Sequence, residues 1–540
     1  MDLILYNAKI RTMDNQIPFA SAVAVKNGII MKVGTDDEIL ALKTPKTQLI
    51  DAQKKLVLPG FIDTHMHNVQ TGVSDNSVKL FGSKSLNEVT DRIADFLNKN
   101  EIEKGAWVYG WGWNQDEFDQ PVFPTRKDLD KVSKEYPIAV ARACGHIMAC
   151  NTKALEIAGF MDSIPEITGG HIDVDENGVP TGILREGGAI SLIKRHFAAV
   201  DKEKIKSYIL YEEKGLLQQG VTSIHTDDFG AFKVPYETCI NAYKELAESG
   251  DLHVRIYQQC LMPNPATLEE FIEKGYPKAE FTPFYRLGPL KLLSDGSLGA
   301  RTAYLAEDYH DEPGTRGIPI MSQEKLDELV LMAHKAGMQV AVHAIGDGAM
   351  SMVIDAMEKA QFTYPRTDPR HGIIHCQITD MPLLERYRKL NLIAYVQPVF
   401  LDYDMHIVEA RVGKEKAMTS YAFNTMTEMG IHVSFGTDCP VERYDALANI
   451  YHAVTRKDKK GFPKGGFNPE ERMSVYDAVK CYTLNGAYNS FEENVKGTIT
   501  IGKYADMVII SDDIFEIEPE EILNASILKT IVDGKVVYEA

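Results

Sequence analysis

Residues 56–67 read LVLPGFIDTHMH. An apolar run of this kind, broken only by Pro59-Gly60, has the composition of a strand buried on both faces, as in a parallel sheet. It ends on polar groups, Asp63, His65 and His67. Side chains two apart in a strand lie on the same side, so both imidazoles face one way at the strand's C-terminal end. In closed (β/α)8 barrels the active sites sit at that end. Alone, the His-x-His pair is weak: 15 histidines in 540 residues give roughly 0.4 such pairs by chance. Its weight comes from the rest of the chain.

Seven more runs of the same type follow: VTSIHT (221–226), LHVRIYQ (252–258), RLGPLKLL (286–293), QVAVHA (339–344), GIIHC (372–376), LIAYVQP (392–398) and HVSFGTD (432–438). Helical stretches alternate with them, with start signals at Ser322 and at Ser474, the latter followed three residues on by Asp477. Eight strands with intervening helices predict an α/β fold, a (β/α)8 TIM-like barrel. About 150 residues separate the first run from the second, far beyond an ordinary connection. An inserted subdomain is therefore expected at about 69–215, with β-like pieces WVYGWGW and PIAVARACGH.

The two ends of the chain resemble each other. ASAVAVKNGIIMKVG (20–34) turns at Asn27-Gly28 and LKTIVDGKVVYE (528–539) at Asp533-Gly534, pairs that favour tight hairpins. Lone hairpins are marginal in water, which favours one small composite β-sandwich over two unrelated hairpins. The expected organisation is 1–58 and 490–540 as the two parts of that sandwich, with 59–489 as the barrel carrying its insertion.

Other predicted strands also end on titratable groups: His225, Lys291 with Asp295 just beyond it, His343, His375 and Asp438. A single buried histidine has an ordinary reading, a core imidazole bonded to nearby backbone. Titratable groups closing six of eight strands converge on one point, as a catalytic barrel requires. Imidazole and carboxylate are ligands of Zn²⁺ and related ions. Four histidines and an aspartate exceed the three protein ligands of a mononuclear catalytic zinc site, so one or two divalent ions are expected, zinc foremost. An ammonium cannot ligate a cation. Lys291 would bridge two metals only as a CO₂-derived carbamate; otherwise it pairs with Asp295 or another carboxylate, and the residues leave both open.

The net charge of −19 speaks against nucleic acid and anionic membrane surfaces as partners and leaves a small-molecule substrate. Oligomeric state is not legible, and a homo-oligomer stays open. The N-terminus MDLILYNAKIRTMD lacks the pattern of a signal peptide, and no run reaches the roughly 20 apolar residues of a membrane helix. Seven scattered cysteines fit free thiols in a reducing cytoplasm. Phosphate-loop, dinucleotide-turn and GxSxG patterns are missing from the sequence.

With these residues in view, the chain resembles the amidohydrolase superfamily and, within it, the YtcJ-like branch. VLPGFIDTHMH is similar to the superfamily's first-strand metal motif and KGTITIGKYADMVIIS to its re-entry into the terminal β domain. FGTDCPVERYDALANIYHAVTR, SVYDAVKCYTLNGAY, LKLLSDGSLGARTAYL, VAVHAIGDGA, WGWNQDEF, RACGHIMACNTKALE and TGILRE resemble the branch. The resemblance implies that His65 and His67 bind the more buried metal and His343 and His375 the second. A carboxylated Lys291 would bridge the two, and Asp438 would ligate and act as general base and acid. The implied reaction is hydrolysis of a non-peptide C–N bond, an amide, N-acyl or N-formyl group, by metal-activated water. His225 is the candidate oxyanion donor. Candidate substrate contacts are His146, Glu186, Trp113 and Asp116 in the insertion and Asp295, Arg301 and Gln397 at strand ends. Trp113 reads equally as a packing residue, and Glu186 as a partner of Arg185. Competing functions are hydrolysis of esters or lactones, isomerase or lyase chemistry at the same metal site, and a non-catalytic regulatory metal-binding protein.

Overall fold

The computed structural model describes the chain except residues 101, 144–146, 168–169, 198–199 and 231–233. Eight parallel strands form one sheet: β1 Phe61–Met66, β2 Val221–Asp227, β3 Arg255–Leu261, β4 Tyr285–Leu293, β5 Val340–Ala344, β6 Gly372–His375, β7 Ile393–Val396 and β8 His432–Phe435. They pair in chain order. The sheet then returns on itself. Thr64 Oγ1 of β1 donates to Phe435 O of β8 (2.9 Å), and the Asp438 N–H donates to His65 O (2.8 Å). The result is the (β/α)8 barrel that the eight apolar runs predict. Every residue of β1, β2, β6 and β7 is buried, which is why these strands read as continuous runs rather than as alternation. The helices begin where their caps stand: Ser322 accepts from the Lys325 N–H and Ser474 from the Asp477 N–H.

The terminal segments build two further sheets. One has four strands, Leu3–Tyr6, Ala22–Lys26, Ile29–Gly34 and Gln48–Asp51; the other has six and draws on both ends of the chain. Leu56–Pro59 pairs there with Met507–Ile510. Leu5, Val23, Val25, Ile50, Val57, Met507, Ile509 and Ile531 form the shared core. Asn27, Gly28, Asp533 and Gly534 all have positive φ (51°, 75°, 51° and 70°), the geometry of two-residue hairpins. The two turns abut, since a Cβ on Gly28 would lie 2.1 Å from Asp533 Oδ1. The Arg255 guanidinium at the start of β3 meets the Asp506 carboxylate (Nε–Oδ2 2.7 Å) and ties the barrel floor to the second sheet.

By its contacts the chain divides into Met1–Val69 with Lys202–Ala540, and Gln70–Asp201. The inserted unit thus ends at 201 rather than near 215. The helix Lys202–Gln218 leads directly into β2, packs on the helix Tyr236–Ser249 and buries Ile205, Ile209, Leu216 and Leu217, so it is a barrel helix. Gln70–Asp201 holds its own six-stranded sheet, with apolar clusters built around Val108, Trp113 and Val140 and around Leu155, Leu184 and Ile193. No helix among the described residues is long and apolar enough to cross a membrane.

Candidate metal centre

The C-terminal ends of β1, β5 and β6 and the turn after β8 bring four imidazoles and a carboxylate together. Asp438 Oδ1 lies 3.3 Å from His65 Nε2 and 3.1 Å from His67 Nε2. These three residues each offer a ligand atom within 4.8 Å of the others. The rings continue from there: His65 to His375 is 5.7 Å between centroids, and His375 to His343 is 4.4 Å.

Each ring is held in one tautomer by a partner that can only accept. Gln259 Nε2 donates to Thr64 O (3.1 Å), which turns its Oε1 to His65 Nδ1 (2.7 Å). Gln397 Nε2 donates to Tyr395 O (3.2 Å), which turns its Oε1 to His375 Nδ1 (2.8 Å). His67 Nδ1 donates to Asp227 O (2.9 Å) and His343 Nε2 to Gly296 O (3.0 Å). The lone pair of the neutral ring is therefore on Nε2 in His65, His67 and His375, and on Nδ1 in His343. An imidazole anchored through one nitrogen and ligating through the other is the usual arrangement at protein metal sites. This donor set fits a divalent metal ion.

The seam between β8 and β1 positions Asp438. Asp63 Oδ2 accepts from Thr437 Oγ1 (2.6 Å), and its Oδ1 accepts from the N–H groups of His65 and Thr437 (3.2 Å each). Burial pushes the Asp63 carboxyl up to about 7 against those hydrogen bonds. Gly436 lets the turn approach β1, for a Cβ there would lie 2.6 Å from His65 N. Asp438 itself sits at φ 57°. Burial works against its charge, but the His65 and His67 rings beside it, with Nε2 3.3 and 3.1 Å from Oδ1, hold it well below the usual carboxylate range.

Lys291 is buried on β4, with Nζ 3.4 Å from His65 Nε2. Burial lowers its amine, while Asp227 and Asp438 pull it back up. Asp295 does not pair with Lys291 by any ion pair among the described residues. It accepts from the N–H groups of Ile345 (3.0 Å), Gly346 (2.8 Å) and Tyr304 (2.9 Å), and its Oδ1 is 3.3 Å from His343 Nε2. It therefore braces the loops beside His343 instead of facing a substrate. Gln397 likewise orients the His375 ring, and Arg301 binds Asp311 and Glu312.

His225 is fully buried and packs edge-on against Tyr257, 5.1 Å between centroids. Among the described residues, no hydrogen bond or ring contact joins it to the four ligand histidines. The charges that act on it most are Lys496 and Glu492, and Lys496 Nζ donates to Ser223 Oγ (2.7 Å), two residues earlier on the strand. Both its ring nitrogens are buried without a hydrogen-bond partner among the described residues. In the insertion, Trp113 is a core residue whose Nε1 donates to Val140 O (2.9 Å). Asp116 pairs with Arg142 (2.8 Å), Glu186 is exposed at the first turn of the helix Glu186–Lys194, and His146 lies outside the described residues.

Two residues at the centre escaped the sequence reading. Gln259 shows only as a polar pair, Gln258-Gln259, closing an apolar run. Asp227 stands two residues after His225 and so shares its strand face, a signal that alternation could have supplied.

The chain is similar to known proteins along nearly its whole length. The model of the "Amidohydrolase family" matches residues 48–538. The protein YtcJ of Bacillus subtilis (strain 168) is 32% identical, with all of both chains covered. The N-substituted formamide deformylase of Arthrobacter pascens is 25% identical over 100% of this chain and 98% of its own. An uncharacterized metal-dependent hydrolase from Pyrococcus furiosus superposes with a TM-score of 0.78 at 29% identity, covering 95% of this chain and 100% of that one. Matched along nearly its whole length, the chain belongs to the amidohydrolase family and is one of its metal-dependent hydrolases.

Proposed function

We propose that the chain hydrolyses a C–N bond other than a peptide bond, in an N-acyl or N-formyl amine of small size. Asp438 carries this reading: a carboxylate kept ionised, with one oxygen among the ligand nitrogens. The name of the Arthrobacter relative, an N-substituted formamide deformylase, supports the bond type.

His65, His67 and Asp438 would hold one divalent ion, with zinc the first candidate. His343 and His375 would hold a second, with Lys291 between them as a carbamate. Such an ion supplies a water of lowered pKa and a Lewis acid for the carbonyl oxygen. The protein's own residues do the rest. Gln259, Gln397 and the carbonyls of Asp227 and Gly296 keep the rings in their ligating tautomers. Asp438 takes the proton of the attacking water on a carboxylate oxygen and delivers it to the leaving nitrogen, which departs as a neutral amine. Phe400 lies parallel to the His375 ring (15°, 5.9 Å between centroids) and gives the centre an apolar wall.

The test is turnover of N-butylformamide and N-butylacetamide by the metal-loaded enzyme, beside butyl formate and butyl acetate. Amine release from the amides at a kcat/KM above that for the esters is expected. Turnover of the esters alone would replace the reading with an esterase, and turnover of none, with metal bound, would favour a regulatory protein.

A further inference from the structure

Asp227 and Asp228 follow one another at the end of β2, both buried, and do different work. Asp228 accepts from Thr226 Oγ1 (2.9 Å), Tyr243 OH (2.7 Å) and the Val69 N–H (2.8 Å), and clamps the strand to its surroundings. Asp227 Oδ1 is buried with no hydrogen-bond partner among the described residues. A buried acceptor of this kind is costly to leave unpaired. Ser223, His225 and Asp227 share one face of the strand. Ser223 bonds Lys496 at the floor and His225 fills the layer above, so Asp227 turns inward at the top. Its carbonyl holds His67 (2.9 Å), and burial raises its carboxyl while the charges of His67 and Lys291 work to lower it. The unpaired oxygen therefore belongs to the residue that anchors His67, whose Nε2 lies 3.1 Å from Asp438 Oδ1.

We propose that Asp227 Oδ1 accepts the N–H of the scissile amide and so selects secondary amides over esters and over amides without that N–H. The proposal rests on the amide reading above. A secondary amide supplies the missing donor. An ester brings oxygen lone pairs against the carboxylate, and an N-methylated amide leaves it unpaired. Sites built around a substrate donor reject analogues lacking it by about 10⁴–10⁵-fold.

The experiment compares wild type, Asp227→Asn and Asp227→Ser, each metal-loaded and analysed for metal, on three probes: N-butylformamide, N-butyl-N-methylformamide and butyl formate. Wild type is expected to prefer the first strongly. Both variants should retain metal and narrow the preference by about 10²-fold or more, and Asp227→Asn, whose amide can donate to an ester oxygen, should gain on butyl formate. A uniform loss on all three probes would overturn the proposal, because it would mean that Asp227 only props His67. Loss of metal in both variants would overturn it too. If wild type cleaves butyl formate and neither amide, the amide reading itself has failed. If wild type cleaves N-butylformamide and the variants keep its preference, only the role of Asp227 has failed.

Discussion

The barrel carries paired histidines at both ends of the same strands, and the two groups are wired differently. At the C-terminal ends of β5 and β6 stand His343 and His375, rings 4.4 Å apart. At the opposite end stand His371, just before β6, and His334 from the helix Gln323–Lys335, rings 5.0 Å apart. In the lower pair the hydrogen bonds close. The Val340 N–H donates to His371 Nδ1 (3.0 Å), so the proton of His371 is on Nε2 and is donated to His334 Nδ1 (2.7 Å). His334 Nε2 then donates to Tyr364 O (2.6 Å). All four nitrogens are used. In the upper group each ring gives one nitrogen to an acceptor and turns the other to the centre. The rings are close at both ends, though the lower pair is fully buried and His343 is half-buried. Whether the chain of hydrogen bonds closes separates a structural pair from a metal site.

The largest effect that would test this contrast is at Asp438. Asp438→Asn removes the proton acceptor while the four imidazoles stay, so kcat is expected to fall by about 10²–10⁴-fold with metal content largely intact. Near-normal turnover would remove Asp438 from its role. The next largest concerns the anchors. Gln259→Leu and Gln397→Leu release His65 and His375 from their tautomers and should weaken metal binding by about 10–100-fold, read by competition with a chelator. His334→Gln, at the other end, should leave metal affinity unchanged. Equal metal affinity in Gln397→Leu and wild type would break the tautomer argument.

Much of the barrel was legible because its strands are buried on both faces, so that FIDTHMH, GIIHC and HVSFGTD each read as an apolar run closing on a candidate ligand. The roles of Asp295 and Gln397 were not. Both stand at strand ends, where a side chain can face substrate or a neighbour's ligand, and the choice depends on register between strands far apart in sequence. Gln397 reaches His375 only because β6 and β7 pair as they do. The end of the insertion was misplaced for a similar reason: Lys202–Gln218 has the same amphipathic pattern whether it packs on a barrel or within a subdomain. His225 closes its apolar run as His343 does, yet no ring contact joins it to the other histidines among the described residues. β2 runs on to Asp227, and the run of residues alone does not say where the strand ends.

The smallest effect sharpens the lower half of the comparison. Burial holds both His334 and His371 below the usual imidazole range, and the Arg366 guanidinium, which donates to His334 O (3.0 Å), adds to it. Unfolded imidazoles titrate near about 6.5. Above that pH both states are neutral and the closed chain contributes its full stability. As pH falls below it, the unfolded chain takes up protons that the folded pair refuses, so stability declines, for the fully buried His371 by at most about 1.4 kcal/mol per pH unit. The double variant His334→Gln with His371→Gln should melt at a lower temperature than wild type at pH 7.5, having lost the chain of hydrogen bonds, and yet lose less of its melting temperature between pH 6.5 and 5. The other buried histidines contribute equally to both proteins and cancel in the difference. Parallel pH dependences would mean that the folded pair accepts a proton as readily as the unfolded chain does, which a chain with all four nitrogens engaged does not allow.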